Sequence, residues 1–137
     1  MPATREAIDL AVTAAAAADD VKATDLILIE VADILALTDV FLLATASSDR
    51  QLRATAERIE ERLREQDRRP LRREGSAEAG WVLLDYGDVV CHLFSDEMRQ
   101  LYGLERLWSD VPQRDGLTGE PIDSLRRTAE PSWAEQP

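Results

Sequence analysis

Cysteine and histidine are almost missing from this chain of 137 residues, which has one of each, and aromatic residues make up only 5% of it. A single cysteine cannot close an internal disulfide, so disulfide-stapled secreted folds are excluded. Zinc sites need several spaced cysteines or histidines. The sequence also lacks a GxxxxGK[ST] phosphate-binding loop, a GxGxxG fingerprint and a D-x-D pair of acids. We therefore expect no cofactor, no metal site and no catalytic residues.

Long apolar runs and positive charge are scarce too. No stretch approaches the ~20 apolar residues of a membrane span, and the N-terminal segment carries Glu6 and Asp9 where a signal peptide needs positive charge. Lys and Arg number 16 against 27 Asp and Glu, a net charge of −11. A nucleic-acid binder needs a basic surface. We expect a cytoplasmic protein with no membrane partner, no direct nucleic-acid specificity and a preference for basic protein surfaces.

Hydrophobic periodicity predicts two helices and two buried strands in the first half. The alanine-rich stretch 4–19 repeats apolar residues at helical spacing, and 47–67 does so with Ser48 and Gln51 as a capping box. The runs 25–31 and 38–45 are short and apolar throughout, as in strands that are buried on both faces. The segment between them is too short for a crossover helix, so these strands should be neighbours in the sheet.

The second half predicts a short strand ending near Gly75, a hairpin over 81–94, and a helix from Ser95 to Gly103. The element order αββαβββα has more strands than crossover helices. It predicts a mixed α/β (α+β) fold, with a sheet of about five strands and helices packed on it. The arginine-rich connector "RRPLRR", residues 68–73, is interpreted as a solvated link because acids flank it.

Composition divides the chain into two regions, 1–108 and 109–137. The second region holds four of the six prolines and six acids against three basic residues. We expect residues 1–108 to form one folded domain and residues 109–137 to form a mostly disordered acidic tail.

The stretch "DYGDVVCHLF" brings together the residues that could carry chemistry. If Tyr86 and Gly87 form a two-residue loop, Trp81 lies opposite His92, and Cys91 falls on the other, apolar face of the hairpin. Cys91 and His92 would then point apart and could not act as a thiolate–imidazole couple. A longer loop stays open as an alternative, because two opposed aspartates would repel each other. A metal site built from these aspartates and His92 is disfavoured, since a turn and one strand rarely bring three ligands together.

Two further patterns bear on function. The "ATASS" segment after a strand and before a helix is similar to the entry of nucleotidyltransferase folds, but those enzymes hold two metal ions with a D-x-D pair that is missing here. Trp81, Arg99, Tyr102 and Trp108 are residue types that anchor protein interfaces. Residue chemistry therefore favours a binding protein over an enzyme.

The segment "REGSAEAGWVLLDYGDVVCHLFSDEMRQLYGLERLW", with "TDVFLLATASSDRQLRATAERIEE" upstream, resembles the ribosomal silencing factor (Iojap) family. That family shows R-x-E-G, a Trp, an Asp–Tyr–Gly–Asp-like turn, His-x-Phe and R-x-x-Y-x-L-E-x-L-W. The resemblance covers residues 4–111. Ala46 departs from a turn that is usually glycine-containing, and Cys91 replaces a more common valine.

The resemblance implies a nucleotidyltransferase-like sheet without catalytic motifs. It also implies a factor that binds the intersubunit face of the large ribosomal subunit through ribosomal protein number fourteen (the uL-fourteen family). The bound factor would block joining of the small subunit and so repress translation when nutrients are scarce, and free members tend to be homodimers. Matching positions imply partner-binding roles for Trp81, Asp85, His92, Arg99, Tyr102, Glu105 and Trp108. Two alternatives stay open, a metal-dependent nucleotide-processing enzyme of this fold and a dimeric adaptor with another protein partner.

Overall fold

The computed structural model describes residues 3–122. Its helices are α1 Arg5–Asp20, α2 Asp49–Arg64, α3 Asp96–Tyr102 and α4 Leu104–Leu107. Its strands are β1 Thr24–Glu30, β2 Val40–Ala46, β3 Arg72–Ser76, β4 Trp81–Asp85, β5 Val89–Ser95 and β6 Gln113–Asp115. None of the helices in this part of the chain is long and apolar enough to cross a membrane.

Side-chain caps fix where the two long helices begin. The Thr4 hydroxyl accepts a hydrogen bond from the Ala7 N–H at 3.1 Å, and the Ser48 hydroxyl accepts one from the Gln51 N–H at 3.0 Å. The return bond of the predicted capping box is displaced by one residue, since Gln51 Oε1 accepts from the Ser47 N–H. Both helices therefore start where the sequence predicts.

The strands form one mixed sheet in the order β3-β4-β5-β2-β1-β6. The β2–β5 pair is parallel and the other pairs are antiparallel. Strands β1 and β2 are neighbours, as expected from their short connection. The predicted mixed α/β fold is confirmed, with six strands in the described chain where about five were expected.

The two faces of the sheet are covered very differently. Helices α1 and α2 pack over one face, which we call the helix face, and bury strand residues such as Leu42, Leu84 and Leu93 completely. The opposite side, which we call the open face, carries a smaller buried cluster around Leu43 and Phe94. The short helices α3 and α4 and the segment that follows them pack on this second cluster. The open face is therefore the side with aromatic groups left partly exposed.

Residues 109–122 do not belong to a disordered tail. Strand β6 pairs antiparallel with β1, and Val111 and Gln113 are buried. Arg114 Nε lies 3.0 Å from Glu30 Oε2 and strengthens the attachment. The predicted boundary at 108 is wrong for this segment, because β1 would otherwise present an unpaired edge that the following chain can cover. The prediction for residues 123–137 lies outside the described residues.

Candidate functional site

The β4–β5 hairpin turns at Gly87 and Asp88, one residue later than the loop assumed from the sequence. The Tyr86 N–H donates to the Val89 carbonyl at 2.9 Å, and Gly87 has a φ of 90°. Glycine is favoured at the first loop position for this conformation. The Asp85 carboxylate also accepts a hydrogen bond from the Gly87 N–H at 2.8 Å, which fixes the turn.

The register consequently differs by two residues from the assumed one. Trp81 lies opposite Phe94, and His92 lies opposite Leu83. The direct Trp81–His92 cross-strand pair is wrong. Because side chains alternate with a period of two, this shift leaves every side chain on its predicted face. Trp81 and His92 therefore still share the open face.

Cys91 is a buried core residue of the helix face, as its neighbours in the sequence predict. Its side chain is fully enclosed among apolar groups. Burial raises the pKa of its thiol to about 12, so the reactive thiolate is not formed near neutral pH. Cys91 therefore contributes packing.

His92 occupies the open face and is surrounded by aromatic rings. Its ring meets Phe41 edge-on at 4.8 Å between centroids and stacks on Phe94 at 6.1 Å. Burial lowers the pKa of His92 to about 4, against an opposing effect of the Asp85 charge. His92 is therefore a neutral ring at physiological pH.

The two aspartates of the hairpin are engaged by the arginine-rich connector. Arg68 Nη2 lies 2.7 Å from Asp88 Oδ1, and Arg72 Nη2 lies 3.6 Å from Asp85 Oδ2. The connector is mostly exposed, as expected for a solvated link, and its arginines also supply counter-charge to the hairpin. Within residues 3–122, no group of three or more His, Cys, Asp or Glu side chains is placed to hold a metal ion.

A chain of ring contacts crosses the open face. Consecutive centroid distances of 6.5, 5.5, 6.1, 4.8 and 6.0 Å join Trp81, Tyr102, Phe94, His92, Phe41 and Trp108. Four of these six rings were predicted as site residues, and the fold brings them together from β4, β5, α3 and the residue that follows α4. Phe41 and Phe94 were missed. A signal existed for Phe94, because alternation places it on the same face as His92, two residues earlier in β5. Strand β2 is apolar throughout, so the sequence gives no such signal for Phe41.

Three predicted site residues are not members of this ring chain. Arg99 is only 7% exposed, and its Nη1 donates to the Thr45 hydroxyl at 2.9 Å. A direct partner contact by Arg99 therefore does not fit the structure. Asp85 lies at the hairpin end of the open face, where it holds the turn. The side chain of Glu105 lies outside the described part of the structure.

Comparisons with known proteins identify the family. Residues 4–136 match the family model described as ribosomal silencing factor during starvation. The chain is 41% identical over 102 residues to the ribosomal silencing factor RsfS of Bacillus subtilis (strain 168), covering 74% of this chain and 86% of that protein. It is also 30% identical over 91 residues to a Mus musculus protein named "Mitochondrial assembly of ribosomal large subunit protein 1". That match covers 64% of this chain and 40% of the mouse protein.

A solved structure agrees with this assignment. A crystal structure of a protein from Chromobacterium violaceum matches with a TM-score of 0.69 and 32% identity, over 73% of this chain and 83% of that chain. The chain belongs to the ribosomal silencing factor family. The predicted family is confirmed, and with it a ribosome-associated role in regulating translation. The match reaches residue 136, well past the 111 at which the resemblance ended.

Proposed function

We propose that this protein silences ribosomes by occupying the intersubunit face of the large subunit and physically preventing the small subunit from joining. Its contact is the open face of the sheet, docked against ribosomal protein number fourteen. The observation that carries the proposal is the chain of aromatic rings on this face. Trp81, Phe41, His92 and Trp108 are each partly exposed there, whereas two long helices cover the other face.

Apolar side chains on α3 and α4 extend the proposed contact. Leu101 is 72% exposed, Tyr102 50% and Leu107 69%. Large exposed apolar groups that cluster beside aromatic rings mark protein interaction sites. Tyr102 also touches the ring chain through Trp81 and Phe94, which links the two parts of the surface.

Net charge supports a protein contact within the ribosome. At −11 the molecule is repelled by RNA phosphates and attracted by basic protein surfaces. The mouse relative's name refers to the large ribosomal subunit, which agrees with the side of the ribosome proposed here. The family description refers to starvation, which supports repression under nutrient limitation.

Blocking by occupancy requires no chemistry. We therefore propose that the protein works in the cytoplasm without catalysis or a cofactor. We also propose that it pairs with a second copy of itself when free. Within this scheme Trp81, Tyr102, His92 and Trp108 form or support the contact.

The proposal is tested by following the joining of purified subunits with light scattering. Wild-type protein should suppress the rise in scattering. Trp81→Ala should require at least about tenfold more protein, because loss of a tryptophan anchor removes about 2 kcal/mol or more of binding. Leu101→Glu provides a second variant whose exposed position leaves the core intact.

Leu117→Ala is the matched control, since Leu117 is 47% exposed beyond β6 at the far edge of the sheet. It should behave as wild type. If Trp81→Ala and Leu101→Glu both suppress joining as strongly as wild type, the open face is not the contact. If wild-type protein leaves joining unchanged, blocking by occupancy is wrong.

A further inference from the structure

Helix α3 is attached to the sheet in an unusual way. It has seven residues, and the one among them that is buried is Arg99. A helix this short is not stable by itself in water, so contacts with the sheet must hold it. Met98 of α3 packs on the open-face cluster while remaining partly exposed, and the side chain of α3 that is buried is the guanidinium of Arg99.

The buried guanidinium is directed at a specific acceptor. Arg99 Nη1 donates to the hydroxyl of Thr45 at 2.9 Å, and Thr45 is 2% exposed on the open face of β2. Burying a charged group is unfavourable unless it is hydrogen-bonded, so the arginine favours positions of α3 that keep its bonds. Hydrogen bonds depend on direction, whereas apolar contacts tolerate sliding.

The same helix carries part of the proposed contact surface. Leu101 and Tyr102 follow Arg99 within one turn, and Tyr102 must reach both Trp81 and Phe94 to close the ring chain. The helix ends at Gly103, which has a φ of 55° and whose N–H donates to the backbone carbonyl of Arg99 at 3.1 Å. A small shift of α3 would break these ring contacts.

We infer that Arg99 and Thr45 are positioning residues, which set the place of α3 and thereby align Leu101 and Tyr102 for the ribosomal partner. This inference rests on the proposed function. It changes the role of Arg99 from a surface anchor to an internal one. It also adds Thr45, a residue that no partner would touch directly.

The test replaces the Thr45 hydroxyl while keeping the shape of the side chain. Thr45→Val removes the acceptor, and Thr45→Ser retains it. Thr55→Val is the matched control, because Thr55 is an equally buried threonine, 1% exposed, on the other side of the sheet. Its hydroxyl donates to the Gln51 carbonyl within α2 and does not contact α3. Binding of each protein to purified large subunits is measured beside its free energy of unfolding.

We expect Thr45→Val to bind large subunits about tenfold more weakly, in line with loss of a hydrogen bond to a charged group. Thr45→Ser and Thr55→Val should stay within about twofold of wild type. Amide hydrogen exchange in α3 should quicken in Thr45→Val alone. The near-ultraviolet circular dichroism spectrum of the protein, to which the Trp81–Tyr102 pair contributes, should change in that variant only.

Two results would overturn the inference. One is wild-type binding and wild-type α3 exchange in Thr45→Val. The other is a loss of binding that merely follows the loss of stability, equally in Thr45→Val and Thr55→Val. If wild-type protein itself does not bind large subunits, the proposed function fails. In that case amide hydrogen exchange in α3 is the remaining test of the positioning role, and an unchanged exchange rate in Thr45→Val overturns that role.

Discussion

The ring of His92 contributes to the open face by staying uncharged. It lies between Phe41 and Phe94, and burial lowers its pKa to about 4. A protonated imidazole would be desolvated there at a cost, with only the Asp85 charge in its favour. His92 therefore packs as an uncharged aromatic ring.

This lowered pKa makes stability depend on pH in a defined direction. The unfolded chain takes up a proton near pH 6.5, whereas the folded chain does so near 4. The stabilisation is complete above pH 6.5 and is lost as the pH falls from 6.5 towards 4. Between pH 7.5 and 5.5, wild type should lose roughly 1 kcal/mol more unfolding free energy than His92→Gln.

Urea unfolding at the two pH values measures this difference. The carboxylates titrate in both proteins and cancel in the comparison, and pH 5.5 stays above the isoelectric point near 4.5. Equal pH dependence in wild type and His92→Gln would show that His92 is not buried as a neutral ring.

Among the secondary-structure elements, those with strong local patterns were predictable. Hydrophobic periodicity and capping residues predict α1 and α2, and the short apolar runs predict β1 and β2. The faces of Cys91 and His92 also follow from alternation. The hairpin register did not follow, because "YG" and "GD" are both acceptable loops, and the choice depends on the positive φ of Gly87 and on the Asp85 carboxylate that accepts its N–H.

Strand β6 shows why the remainder was not predictable. Its sequence, Gln-Arg-Asp, has no strand pattern of its own. Its structure comes from the edge of β1, which supplies backbone partners, and from Glu30, which pairs with Arg114. The aromatic ring of β2 poses a similar problem, since a strand that is apolar on both faces does not reveal which face meets α3.

The attachment of the β6 segment can be tested at one glycine. A Cβ at Gly116 would lie 2.8 Å from both the Cβ and the carbonyl oxygen of Leu26, while the Gly116 N–H donates to that same carbonyl. Gly116→Ala should therefore push the segment away from β1 and cost about 1–3 kcal/mol of unfolding free energy. Chemical denaturation measures the loss, and hydrogen exchange in β1 should quicken.

The adjacent residue provides the control for this experiment. The Leu117 side chain is exposed, so Leu117→Ala should change stability by no more than about 0.5 kcal/mol. A Gly116→Ala protein as stable as wild type would show that residues 113–119 are not part of the cooperative fold.

In the whole molecule, the core that stabilises the fold and the surface proposed to bind a partner lie on different faces of the sheet. The two long helices and the helix face form the larger core. The arginines of the connector pair with acids of the hairpin and of α2, among them Asp88 and Glu60, so local charges there are balanced. The net charge of −11 is therefore a property of the whole surface, which suits long-range attraction more than a specific ionic contact.

A factor that acts by occupancy must obey mass action, and this separates it from an enzyme of related fold. Suppression of joining should reach its limit at about one protein per large subunit when concentrations exceed the dissociation constant. Added small subunits should compete with it. Dilution of the complex should restore joining, as measured by light scattering before and after a rapid tenfold dilution. An enzyme that modified the subunit would act below equal stoichiometry, and its effect would survive dilution. Suppression at one protein per many subunits would therefore contradict the occupancy mechanism.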